Sequence, residues 1–80
     1  MYTGPGEYVH YKGERYVALG LATNASNEST SDEQLVIYQR KGDYGGPRFA
    51  RPLKEFDQEV PTNNLVDHPR GRVPRFRRID

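Results

Sequence analysis

Glu7-Tyr8-Val9-His10-Tyr11-Lys12-Gly13-Glu14-Arg15-Tyr16-Val17-Ala18-Leu19-Gly20-Leu21-Ala22 is the stretch on which the fold turns. From Glu7 to Tyr11, Tyr8 and His10 alternate with Val9 and Tyr11, the two-residue period of a strand. Lys12-Gly13-Glu14 then supplies a short turn, with Gly13 where a positive φ is needed. The chain returns through Arg15 to Ala22, with Val17, Leu19 and Leu21 on one face and Tyr16, Ala18, Gly20 and Ala22 on the other. Small residues opposite large ones predict a strand that bends, or one that another backbone approaches closely. The stretch reads as a β-hairpin.

Downstream the same signals recur. Asn24 to Glu33 is polar apart from Ala25 and predicts a connection of about ten residues, longer than most hairpin loops. Gln34-Leu35-Val36-Ile37-Tyr38-Gln39-Arg40 is a β-branched and aromatic run, read as the central strand. Lys41 to Pro47 is rich in glycine and forms a turn, and Arg48-Phe49-Ala50 is a short strand stopped by Pro52. Leu53 to Phe56 fits one helical turn with its two apolar residues on one side. Glu59-Val60 begins another short strand, and residues 61–72 form a second exposed loop. Val73 to Ile79 alternates apolar with basic residues and reads as a final strand, anchored by Phe76 with its arginines in water. Five to six short strands with one possible helical turn predict a mainly β barrel or roll filling a single domain, 1–80.

Composition agrees and excludes several classes. The chain has 80 residues, 34% of them hydrophobic, and a mean hydropathy of −0.96, so its core must be thin. A domain of this size buries only about 60% of its unfolded surface, which leaves little material to wall off a deep active site. With 6 Tyr and 3 Phe, the apolar complement suits a pleated sheet. The absence of cysteine excludes disulfides, thiolate zinc sites and a Cys nucleophile. Nothing resembles a membrane span or a secretory signal, so a cytoplasmic location is the default expectation. Without such a signal, Asn24-Ala25-Ser26 and Asn27-Glu28-Ser29 are polar loop rather than glycosylation sites. Net charge is +1, but the second half of the chain reads basic, then acidic, then basic.

The residue order also resembles a known family. Tyr8-x-His10-x-Lys12-Gly13-x-x-Tyr16, Leu19-Gly20-x-Ala22, Leu35-Val36-x-Tyr38 and Gly42-Asp43-Tyr44-Gly45 come first. Arg51-Pro52-Leu53-x-x-Phe56 and Val73-Pro74-Arg75-Phe76 complete the series. Together they resemble the small bacterial family termed domain of unknown function 1653. The resemblance implies an SH3-like small β barrel, and it brings no established activity, cofactor or catalytic residue. Two departures stand out: Arg48-Phe49-Ala50 replaces the family's usual Leu-Trp-Val, and Pro61 to Arg70 is longer than its usual tight turn. Phe49 is therefore a smaller platform than the tryptophan of relatives.

The candidate binding face gathers Tyr8, His10, Lys12, Tyr16, Tyr38, Tyr44, Phe49, Arg51, Arg75 and Phe76. Small barrels bind extended partners by stacking on exposed aromatics and clamping backbones with cations. The competing reading makes the tyrosines core residues with their hydroxyls in water, as a chain this hydrophilic needs. A catalytic His10 would require a nucleophile or orienting carboxylate beside it, and no Ser or Cys falls in a predicted element. His10 and His68 have no metal-ligand spacing. The residues thus predict no enzyme, no cofactor and no metal, but a binding module for a protein or peptide, monomeric or weakly dimeric. One alternative is weak RNA or single-stranded DNA binding through residues 48–54 and the arginines from Arg70 to Arg78. Another is small-molecule binding or catalysis at His10, Tyr38 and Arg51.

Overall fold

The structure is a computed structural model and describes residues 1–25 and 33–79. The chain forms β1 (Gly6–His10), β2 (Arg15–Thr23), β3 (Gln34–Arg40) and β4 (Arg48–Pro52). These are followed by a helical turn α1 (Leu53–Phe56), then β5 (Glu59–Pro61), β6 (Arg72–Pro74) and β7 (Phe76–Arg78). One antiparallel sheet has the order β4-β3-β2-β1-β7, and β5 pairs with β6 in a second. The mainly β class and the single helical turn are as expected. Edge strands β4 and β7 are not paired with each other, so among the described residues the sheet stays open rather than closing into a barrel.

The predicted hairpin forms, with Tyr8 opposite Tyr16 and Gly13 turning at φ 98°. The bend in β2 is a bulge: Ala18 pairs with Tyr38 and Gly20 with Ile37, leaving Leu19 as the extra residue. A residue inserted in one strand reverses the alternation beyond it. Val17 therefore lies level with Glu7 and Gln39, whereas Leu21 falls opposite the buried Val36. The large-residue face read from Val17, Leu19 and Leu21 is split in two, and both leucines stay substantially exposed. The inward positions are instead Tyr8, Ala18, Val36 and Tyr38.

β3 has the bounds its β-branched run predicts, but β2 occupies the centre of the sheet. The reason lies at the C-terminus. The single strand expected over Val73 to Ile79 breaks at Arg75, whose N–H donates to Gln58 O (2.8 Å) while its carbonyl accepts from Tyr11 N (3.0 Å). The part before it pairs with β5, and the part after it returns beside β1 as a seventh strand. Arg78 does not face water as expected. Its Nη1 donates to Gly4 O and Thr3 Oγ1, each at 3.2 Å, and the guanidinium lies 5.7 Å from the centre of the Tyr8 ring.

Pro52 ends β4 at the sheet edge, where a missing N–H costs no ladder bond, and leads into α1. The turn places Phe56 over the sheet, stacked on Phe76 at 4.2 Å and edge-on to Tyr8 at 5.2 Å. Asp57 Oδ1 then accepts from Tyr2 N (2.6 Å), bringing the Tyr2 ring onto Tyr8 and Phe56. The core is thus mostly aromatic, with Tyr8, Phe56 and Phe76 almost completely buried. Surface charges are folded together rather than left in blocks: Lys41 and Arg15 meet Glu7, Arg51 meets Glu55, and Arg70 meets Glu59. Each such exposed pair contributes roughly 0–1 kcal/mol, so the mixing matters more for the surface field than for stability.

Candidate functional site

The predicted face divides by burial. Tyr8 and Phe76 are 0% and 1% exposed, and Tyr38 is 6% exposed, so these three are core and not a stacking surface. A sheet with few aliphatic residues must use its rings to exclude water, which draws inward any ring on the α1 side. Tyr8 also spends its hydroxyl internally, donating to Gly4 O (2.8 Å) and accepting from Thr3 N (2.9 Å). Tyr44 stands 60% exposed on the loop after β3 and makes no ring contact among the described residues.

What remains is a half-buried aromatic rim. Tyr16 bridges it, edge-on to Tyr38 at 5.3 Å, to Phe76 at 5.9 Å, and to Phe49 and His10 at 6.3 Å each. Phe49 sits directly across β3–β4 from Tyr38, because those residues pair in register. His10 packs on Phe76 at 5.0 Å from the neighbouring position on β1. The rim is the margin where the aromatic core reaches the surface.

Cations converge on it. Arg51 Nε donates to the Tyr38 hydroxyl (3.3 Å), and Arg51 Nη1 reaches Glu55 at 3.5 Å. Arg75 Nη2 donates to Gln58 Oε1 (3.4 Å), and its buried Nε–H has no acceptor among the described residues. The effect shows on His10, whose pKa is lowered by partial burial and then by the positive charges of Arg51, Lys12 and Arg75, with Glu14 opposing. His10 is therefore neutral at pH 7. Its Nδ1 accepts from Lys12 N (3.2 Å), which leaves the proton on Nε2. Tyr16 shifts upward, through burial and then its hydrogen bond to Glu14 Oε2 (3.0 Å). Glu14, which also faces Arg40 at 3.8 Å, is outside the face expected from sequence; it lies immediately before β2 and reaches the rim through the Tyr16 hydroxyl.

His10, Tyr38 and Arg51 are thus brought near one another, two of them in direct contact. An open cleft that His10 lines includes neither Tyr38 nor Arg51. Among the described residues no cluster of three or more His, Asp or Glu side chains could hold a metal ion, and no helix is long and apolar enough to cross a membrane. The arrangement offers ring faces, fixed hydrogen-bond donors and positive charge.

The arginines of the last segment do not form one patch. Arg78 turns inward, Arg75 joins the rim, and Arg70 pairs with Glu59 at 3.3 Å. Arg72 and Arg77 are exposed and form no ion pair among the described residues.

Comparison with known proteins adds a family and a fold relative. The family model described as "Protein of unknown function (DUF1653)" matches residues 6–78. A solved structure described as a crystal structure of a protein belonging to this family from Bordetella bronchiseptica is 37% identical. That alignment covers 96% of this chain and 87% of the other, with a TM-score of 0.70. A search of curated proteins found no match.

Proposed function

Because the chain belongs to the DUF1653 family, whose function is unknown, we propose from its own geometry that it is a non-enzymatic binding module for a protein or peptide. The observation that supports this reading is the rim: half-exposed Tyr16 and Phe49 beside the convergent charges of Lys12, Arg51 and Arg75. Rings and an arginine fork that are already held in place cost little further ordering when a partner arrives. The excess of positive charge favours a segment carrying an acidic side chain next to an apolar one. A catalytic role has less support, since His10 spends Nδ1 on the backbone and, among the described residues, no serine or threonine hydroxyl bonds to it. Nucleic acid is also less favoured, because the arginines that would follow a phosphate chain point in different directions.

Pull-down from native lysate tests the reading. The wild-type domain should retain a protein that a Phe49→Ala/Arg51→Gln double variant loses, with the variant's fold verified by NMR. Retention of the same proteins by both forms refutes it. Salt-sensitive binding of labelled single-stranded RNA, with no protein retained, transfers the function to nucleic acid.

A further inference from the structure

The cleft lined by His10 adjoins the rim at that residue but contains neither Tyr16, Phe49 nor Arg51, and it has a different chemistry. It has a volume of ≈ 580 Å³, within the roughly 300–1,000 Å³ of small-ligand sites. Val9, Val73 and Pro74 supply its apolar surface, and His10, His68 and Arg77 its polar one. Two hairpins build it, the β1–β2 turn on one side and the long β5–β6 loop on the other, so the residues that lengthen that loop also wall the cleft.

We propose that this cleft is a second binding site, for a carboxylate carried on a small apolar or aromatic body. Arg77 is the only arginine lining it, is exposed, and forms no ion pair among the described residues. A guanidinium fork matches a carboxylate bidentately. The His10 imidazole, with its proton on Nε2, adds a neutral donor to the same wall. Asp67, next in sequence to the cleft-lining His68, is bonded to Asn64 and not paired with Arg77: its Oδ2 accepts from Asn64 Nδ2 (2.9 Å), and its N–H donates to Asn64 Oδ1 (3.2 Å). That leaves Arg77 available to an outside anion. The apolar surface decides between anions, because inorganic phosphate would leave Val9, Val73 and Pro74 uncovered.

NMR titration of the ¹⁵N-labelled chain tests this with four probes: benzoate, N-acetylleucine, benzamide as the neutral counterpart of benzoate, and inorganic phosphate. Benzoate or N-acetylleucine should shift the amides of Val9, Val73 and Arg77 saturably. The tighter of the two identifies the source as a free aromatic acid or as the end of a protein chain. Benzamide and phosphate should bind at least tenfold more weakly, and Arg77→Gln should weaken the carboxylate at least tenfold while preserving the spectrum. The Phe49→Ala/Arg51→Gln variant should bind the carboxylate normally, which separates this site from the rim. No saturable shift with either acid overturns the proposal, as does equal binding of benzamide or phosphate, or indifference to Arg77→Gln.

Discussion

Replacing Tyr8 with phenylalanine keeps the ring and removes one oxygen, and the structure fixes what that oxygen is worth. It donates to Gly4 O at 2.8 Å and accepts from Thr3 N at 2.9 Å, with a longer contact to Arg78 Nη1 at 3.4 Å. An intramolecular hydrogen bond is worth about 1 kcal/mol net, and more only where a buried partner is left unmatched. Neither partner is stranded here: Thr3 is exposed and can turn to water, and Gly4 O still accepts from Arg78 Nη1. The cost of Tyr8→Phe should therefore be about 1–1.5 kcal/mol, not the larger penalty of an orphaned polar group. For a domain of this size each kcal/mol moves the melting temperature by about 4–8 °C, and with a urea slope of about 1 kcal/mol/M the midpoint should fall by about 1 M. Urea denaturation followed by tyrosine fluorescence gives the answer. An unchanged midpoint would show that the hydroxyl is not tied to the N-terminal segment. A change in slope, rather than in midpoint alone, would show that the ring itself has moved.

Phe56→Ala should cost about 3–5 kcal/mol, because it empties the position that stacks on Phe76 and meets Tyr8 and Tyr38 edge-on. That approaches the whole stability of so small a domain, so the variant's NMR spectrum should lose its dispersion, and a native-like spectrum would refute the core assignment. His10 should make stability depend on pH. Its folded pKa lies below the unfolded value of about 6.5, so the unfolded chain binds the extra proton first and stability falls as the pH drops through that window. His10→Gln should flatten the dependence of the urea midpoint between about pH 7 and pH 5, and a slope identical to wild type would place the sensitivity on other groups.

Local chemistry made much of the fold legible. The β-branched run Gln34–Arg40, the Gly13 turn and the Leu53–Phe56 turn are fixed by short-range preferences, and all three stand where the sequence puts them. The misreadings share a cause, in that each depends on a partner far away in the chain. Alternation in β2 is interrupted at Leu19 because β3 opposes two residues with one, which β2 alone cannot reveal. Arg75 divides the last strand because Gln58 and Tyr11 both claim its backbone. The expected loop between β2 and β3 falls largely at residues 26–32, outside the described residues. For the candidate site, the sequence shows residue types but not their depth. A tyrosine reads the same whether it supports the rim, as Tyr38 does, or forms it, as Tyr16 does.

The pairing of β1 with β7 has a consequence for how the molecule is made. Tyr8 lies opposite Arg78, and His10 opposite Phe76, so the contacts of β1 wait for β7, far along the sequence. Loop closure over such a separation comes before any gain from the contact, and domains built this way fold more slowly than those with local pairings. During synthesis the β1–β2 hairpin can form early, yet Phe56 lacks Phe76 and Tyr8 lacks Arg78 until β7 has left the ribosome. Until then the nascent chain carries its aromatic interior uncovered, and the arrival of β7 decides when the core closes.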